Sequence, residues 1–136
     1  MNSNFRILHC LRAPVGGVFR HVHDLALGQA ELGADVGIVC DSTTGSLETK
    51  VGLNRLKDNC SLGVTRIPMS RKLDFNDWWV YRRIAKLARE MDVDILHGHG
   101  AKGGAYARLA GKSLRKKKNT KVVYTPHGGV IHHSPS

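Results

Sequence analysis

The segment FRILHCLRAPVGGVFRHVHDLALGQAELGADVGIVCD, at the start of the chain, constrains the fold more than any other stretch. An apolar strand runs into a turn carrying Gly16-Gly17. A helix follows, with Val18, Val22, Leu25, Ala26, Gln29 and Leu32 on one face. Gly33 stops that helix, and a second buried strand covers Val36 to Cys40. Strand, helix, strand at these lengths is a βαβ unit, which makes parallel sheet with a right-handed crossover. Two adjacent glycines at the carboxyl end of a strand leave backbone N–H groups uncovered beside a helix N-terminus. That geometry suits an anionic ligand, typically a phosphate.

The alternation continues along the chain. Ser42 to Gly45 is a polar loop, Leu47 to Leu56 reads as a weak helix, and Val64 to Ile67 as a short strand closed by Pro68. Asp74 is a plausible N-cap for a helix over Phe75 to Met91, with Trp79, Ile84, Leu87, Ala88 and Met91 at helical spacing. Val93 to Leu96 is a buried strand that runs into HGHGAKGG. A small-residue helix follows over Gly103 to Lys117, then a strand over Val122 to Thr125, then a loop, PHGGVIHHSPS. Five strands alternating with helices predict an α/β fold: a doubly wound, Rossmann-like parallel sheet with helices on both faces. Ligands of such sheets bind beyond the carboxyl ends of the strands. Glycines and histidines gather on that rim. The chain stops just after the fifth strand and reads as a piece of something longer.

The 136 residues suit one domain. No run approaches the roughly 18 apolar residues of a membrane span, and the N-terminus lacks a signal-peptide layout, so a cytoplasmic protein is the expectation. Cys10, Cys40 and Cys60 are odd in number and lack CxxC spacing, which speaks against a disulfide framework or a zinc site and for small buried thiols. The net charge of +10 is clustered, with Lys112, Arg115, Lys116, Lys117, Lys118 and Lys121 in one run and Arg82, Arg83, Lys86 and Arg89 on an earlier helix. Such a face attracts anionic lipid headgroups, nucleic acid or phosphorylated substrates, although a solvated helix end also explains the first run. Nucleic acid is set aside, because no helix-turn-helix, zinc pattern or aromatic stacking platform accompanies the charge.

Several motifs fail on their spacing. Gly98-His99-Gly100-Ala101-Lys102-Gly103 matches G-x-G-x-x-G, but the acidic residue needed about 20 positions on falls in KKKNTK. A close-packed, phosphate-friendly turn is the better reading. Gly111-Lys112-Ser113 resembles the end of a P-loop, yet Tyr106 stands where its first glycine belongs. His97 and His99 point the same way from a strand, but no carboxylate or cysteine joins them at ligand spacing, so they read as hydrogen-bonding rim residues and no metal is expected. His9 reads as a satisfied core histidine and His23 as solvated, while His21 lies near the helix N-terminus, where a ligand can meet it. His127 directly follows a buried strand and precedes two glycines. An imidazole there can bond a sugar hydroxyl or move a proton, or simply pack the loop.

Three segments together resemble the N-terminal domain of the family 4 glycosyltransferases, retaining enzymes of the GT-B fold. They are RILHCLRAPVGGVFRHVHDLALGQAELGADVGIVCD, DILHGHGAKGGAYARLAG with its D-hydrophobic-hydrophobic-H-x-H pattern, and VVYTPHGG. The resemblance spans nearly the whole chain, residues 1–136, and implies one half of a two-domain cleft. It implies that Gly16 and Gly17 approach the pyrophosphate and sugar of a nucleotide-sugar donor, and that His127 is the catalytic histidine contacting the transferred sugar. His99 would line the same cleft, and Arg20 and His21 would help bind a polysaccharide or lipid-linked acceptor. No cofactor is implied, since the nucleotide-sugar is a substrate. The E-x7-E region and the cations that grip the diphosphate belong to a C-terminal domain this chain lacks, so the chain alone is expected to be inactive. Contact with anionic membrane through Lys112, Arg115, Lys116, Lys117 and Lys118, at the inner face of the plasma membrane, is compatible with a lipid-linked acceptor. The alternative is a non-catalytic Rossmann-like module that holds a phosphorylated ligand through the glycine turn and basic face.

Overall fold

The computed structural model describes residues 5–114 and 119–126. The elements alternate as β1 (Arg6–Cys10), α1 (Gly16–Glu31), β2 (Asp35–Asp41), α2 (Leu47–Asn59), β3 (Gly63–Ile67), α3 (Asn76–Met91), β4 (Ile95–His99), α4 (Gly100–Leu114) and β5 (Lys121–Thr125). All strands are parallel, in the order β3-β2-β1-β4-β5. The chain therefore builds outward from β1 in one direction, then returns to build from β1 in the other. Right-handed crossovers put the first two helices on one face and the last two on the other.

Side-chain alternation confirms this arrangement. Leu11, Val36, Ile38 and Cys40 pack with Phe19, Val22 and Ala26 of α1 and with Leu53 and Leu56 of α2. Leu8, Cys10, Val39 and Leu96 pack on the opposite face with Val80, Ile84 and Ala88 of α3 and with Tyr106, Ala107 and Ala110 of α4. The expected doubly wound α/β sheet is the fold observed. All three cysteines are free and buried. Burial pushes the Cys10 thiol up to about 12 and the Cys40 thiol to about 11, so neither offers a thiolate.

Two local expectations are corrected. β4 does not stop at Leu96 but continues through His97-Gly98-His99, because Ile7 to Cys10 and Lys121 to Thr125 pair with it on both sides. The glycine is tolerated there for a packing reason: a Cβ on Gly98 would lie 2.6 Å from the Gly103 carbonyl oxygen and 2.7 Å from the Gly104 Cα. As a result α4 begins at Gly100, three residues earlier than the periodicity implies. The second correction concerns α3. Trp79, placed by spacing among the core residues, is exposed, and Val80 fills the buried position next to it.

Candidate functional site

Strand order reverses between β1 and β4, and the rim at their carboxyl ends is where an open α/β sheet forms its ligand crevice. Two helices begin there, α1 after β1 and α4 after β4. Neither has an acidic residue in its first turn, whereas α2 carries Glu48 and α3 carries Asp77. The contrast extends to capping. The Ser46 hydroxyl accepts from Thr49 N–H at the start of α2; at α3 the N-cap is Phe75 rather than the expected Asp74 and makes no side-chain cap bond, although Asp74 just before it accepts from Asn76 N–H. At α1 the N-cap is Val15, with no side-chain bond to the helix. Gly16 is the first residue of that helix, with φ 70°, a conformation that costs other residues energy. A Cβ added at Gly16 or Gly17 would meet nothing within 4 Å. The N-terminus of α1 therefore presents N–H groups and partial positive charge to open space.

The glycines of the G-x-G-x-x-G match do a different job. A Cβ on Gly103 would sit 2.3 Å from the Cys10 carbonyl oxygen, so the first turn of α4 lies directly on the end of β1. Lys102 turns toward α3 instead of the crevice, pairing with Asp77, while Tyr106 donates to the same carboxylate at 2.6 Å. This clamp joins the first turns of α3 and α4.

On the α1 side of the sheet, the reversal point is filled by histidines. His9 and His99 are buried, and His9 Nδ1 lies 3.0 Å from His99 Nε2. His9 Nε2 lies 2.8 Å from Gln29 Oε1 on α1. With Gln29 presenting its oxygen, His9 donates through Nε2 and accepts from His99 at Nδ1. Desolvation lowers the His9 pKa to about 4. The Gln29 bond opposes that shift, and His97 and His21 reinforce it, so His9 is neutral. His97 stacks on His99 with ring centroids 4.0 Å apart and bonds Thr125 Oγ1 at 2.7 Å. The His21 ring meets His99 edge-on at 5.8 Å.

One nitrogen each from His9, His97 and His99 lie within 4.8 Å of one another. Three imidazoles match the protein ligand count of a catalytic zinc. Binding through His9 Nδ1 and His99 Nε2 would first have to break the bond between them.

A groove of about 510 Å³ lies beside the glycine turn, between the first turns of α1 and α2. Phe19, Leu47 and Val51 give it an apolar wall, while Arg20 and Arg55 bring two cations and Glu48 one carboxylate. Gly52 allows the close fit, since a Cβ there would lie 2.8 Å from the Phe19 ring. Beyond the groove, the buried Asp41 carboxylate ties the loop after β2 to the loop after β3. It accepts from Met69 N–H at 2.7 Å and from the Thr43 and Thr44 hydroxyls. Burial pushes its pKa up, but these bonds outweigh burial and hold it below the usual carboxylate value.

Gly16, Gly17, Arg20 and His21 thus fall within the first turn and a half of α1, and His99 ends β4 beneath them. His127 lies outside the described residues, as do His132, His133 and Arg115, Lys116, Lys117 and Lys118. Lys112 is exposed in the last turn of α4, at the end of the sheet away from the rim. Arg55, Gln29 and His9 were not singled out as site residues by sequence reasoning. His23, read there as solvated, lines the groove. Among the described residues, no helix is long and apolar enough to cross a membrane.

Comparison with known proteins bears on the family and the fold. The profile of Glycosyltransferase Family 4 matches residues 15–136. Over 63 residues the chain is 41% identical to "Putative glycosyltransferase EpsD" of Bacillus subtilis (strain 168), a match covering 46% of this chain and 16% of that protein. Among solved structures, a glycosyltransferase from Rickettsia africae ESF-5 superposes with a TM-score of 0.70 at 22% identity, covering 94% of this chain and 31% of the other. MurG from Acinetobacter baumannii gives 0.59 at 19% identity, covering 94% and 38%. These two likenesses are of fold. The chain spans under two fifths of each of these proteins.

Proposed function

The chain belongs to Glycosyltransferase Family 4, and from that premise we propose that it forms the N-terminal, acceptor-side domain of a retaining transferase. In this reading a sugar moves from a nucleotide-sugar donor to a polysaccharide or lipid-linked acceptor. The observation that carries it is the pair of helix N-termini, α1 and α4, at the ends of neighbouring strands with no acidic residue in their first turns. Negative charge develops on the leaving diphosphate as the glycosidic bond breaks. Fixed N–H dipoles aimed at that charge favour the transition state over the ground state.

Gly16 and Gly17 let the donor's pyrophosphate and sugar approach the backbone of α1. The acceptor lies in the groove between α1 and α2, its anionic group near Arg20 and Arg55 and its apolar part against Phe19. His21 borders the acceptor, and the buried His99, held with His9 and Gln29, lies beneath the cleft and supports its floor instead of lining it. His127 contacts the transferred sugar as the catalytic histidine. The scheme needs no metal and no cofactor. A second domain supplies the nucleotide pocket and the remaining cations, so this chain alone carries out no turnover. A peripheral position at the inner face of the plasma membrane suits a lipid-linked acceptor.

The test is transfer by the full-length protein from a panel of UDP- and GDP-sugars to oligosaccharide and polyprenyl-phosphate acceptors, with the anomeric configuration of the product read by NMR. Retention of configuration is expected, with sharp loss in His127→Ala and none of the activity in the 136-residue chain. Inversion, near-normal activity of His127→Ala, or robust transfer by the short chain would overturn the corresponding part of the reading.

A further inference from the structure

The outward face of α3 and the loop before it carry an arrangement that neither core packing nor the sugar-transfer reading uses. Leu73 is 86% exposed, Phe75 95%, Trp78 51% and Trp79 62%, four large apolar side chains within seven positions. Phe75, Trp78, Trp79, Arg82, Arg83 and Lys86 recur at the three- and four-residue spacing of one helix face, and all are exposed. The face is aromatic at the rim end of α3 and cationic one to two turns behind it, at about 5 Å per turn.

Charge and geometry select an occupant. Arg71 and Lys72 flank the aromatic corner on the loop side, so five cations surround it. The exposed carboxylates Asp74 and Glu90 offset part of this charge and leave the corner net cationic. Asp77 is turned inward, where it pairs with Lys102 and accepts from Tyr106. The Arg82 guanidinium lies 4.9 Å from the centre of the Trp78 ring, holding cation and indole side by side. The loop is braced too, since Lys102 Nζ donates to the Lys72 carbonyl oxygen at 3.0 Å. Tryptophan and phenylalanine at a tip with arginine and lysine just behind match the depth profile of a bilayer interface, where rings settle at the headgroup level and cations meet lipid phosphates.

We infer that this corner, Leu73 to Lys86, is the surface that docks onto an anionic lipid bilayer. The reading of sugar transfer does not require it. The placement differs from the basic run beginning at Lys112, which starts at the opposite end of the sheet. It has a consequence for access: the loops after β2 and β3 are joined through Asp41 and Met69, and the α1–α2 groove opens at Ser46 and Leu47 just beyond them. A bilayer on this corner borders the same rim as the groove.

Trp78 and Trp79 are the two tryptophans of the chain, so its intrinsic fluorescence reports on this corner directly. The 136-residue chain is titrated with vesicles of phosphatidylglycerol and phosphatidylcholine, with pure phosphatidylcholine, and with vesicles brominated in the acyl chains. A blue shift and bromine quenching are expected with anionic vesicles and not with neutral ones, weakening as salt rises. Replacing Arg82 and Arg83 by Gln removes two cations, and partition into anionic vesicles should fall roughly 30-fold at about a tenfold change for each 1.4 kcal/mol. Phe75→Ser should reduce binding while retaining salt dependence. All three substitutions are at exposed positions, and unchanged urea midpoints verify the fold. Lys112→Gln with Lys121→Gln, an equal loss of charge at the far end, should cost less than about threefold. The inference is overturned if anionic vesicles give no blue shift, or if the far-end pair costs as much as the arginine pair. It is equally overturned if the shift appears with rising protein concentration in the absence of lipid, which would make the corner a contact between copies. None of these readouts involves sugar transfer, so its failure and that of the transferase reading are separable.

Discussion

Replacing His9 by Leu should remove a specific acid sensitivity from the fold. In the native chain His9 is buried between β4 and α1, and burial lowers its pKa from 6.5 to about 4. In the unfolded chain it titrates at its ordinary value. Between those two values the unfolded state binds the proton and the folded state does not, so stability is fully present above pH 6.5 and drains away as pH falls toward 4. At pH 5 nearly all unfolded molecules carry this proton and about a tenth of folded ones do. The wild type should therefore lose about 2 kcal/mol between pH 7.5 and pH 5 from this one group. For a domain of this size that corresponds to a fall of about 1 M in urea midpoint. His9→Leu lowers stability at neutral pH, because His99 and Gln29 lose a buried partner. The readout is instead the difference in slope, since all other titrating groups contribute to both proteins. Urea melts at several pH values in this window, followed by far-UV circular dichroism, measure it. Parallel curves for wild type and variant from pH 7.5 to pH 5 would refute the assignment of a neutral, buried imidazole.

Two further substitutions probe the rim. Val15→Asp supplies the cap that α1 lacks, at an extended residue that accommodates it (φ −141°, ψ 158°), and should raise stability by about 1 kcal/mol. In the full-length protein the same carboxylate competes with the donor's diphosphate, so its KM for the nucleotide-sugar should rise; a stabilised variant with unchanged KM would count against the anion site. Gly103→Ala drives a Cβ into the Cys10 carbonyl oxygen, 2.3 Å away, and backbone cannot yield as a side chain does. A loss of about 3 kcal/mol in chemical denaturation is expected, and a neutral result would mean α4 does not sit against β1 as described.

The architecture was readable because it is written in local signals. Apolar strands, periodic helices and glycine turns alternate in an order that admits few other folds, and the glycine turn could be placed at a strand end from sequence alone. What escaped was whatever depends on which strands become neighbours. His9 and His99 are 90 positions apart, and nothing in the local pattern says that β1 lies beside β4 rather than beside β3. Once it does, residues that read separately as a core histidine and a rim histidine become one hydrogen-bonded pair, with Gln29 behind them. The same limit hid the reason for the glycines in HGHGAKGG. They look like a ligand-binding fingerprint in one dimension, whereas Gly98 and Gly103 are there so that α4 can lie on β4 and β1. Trp79 failed differently. Helical spacing locates a face but does not say whether the residue at its margin goes in or out, and Val80 took the buried place.

The rim combines two kinds of departure from what stability alone would favour. At α1 the chain forgoes a capping side chain, which α2 has, and an acidic first turn, which α2 and α3 both have, and each omission costs a fraction of a kcal/mol to about 2 kcal/mol. At the start of α3 it leaves two tryptophans and a phenylalanine in solvent, where burying each would contribute about 2 kcal/mol. Elsewhere among the described residues no buried side-chain polar atom goes without a hydrogen bond, so these are not the marks of a loosely built fold. Sites where a locally consistent chain breaks its own rules are where a ligand or surface is expected to supply what is missing. On the two proposals, an anion at the α1 N-terminus would compensate the first departure, and a bilayer at the α3 corner would compensate the second. The two can be tested separately, because phosphate binding at Gly16-Gly17 leaves the indole rings in water and lipid binding leaves the α1 N–H groups open.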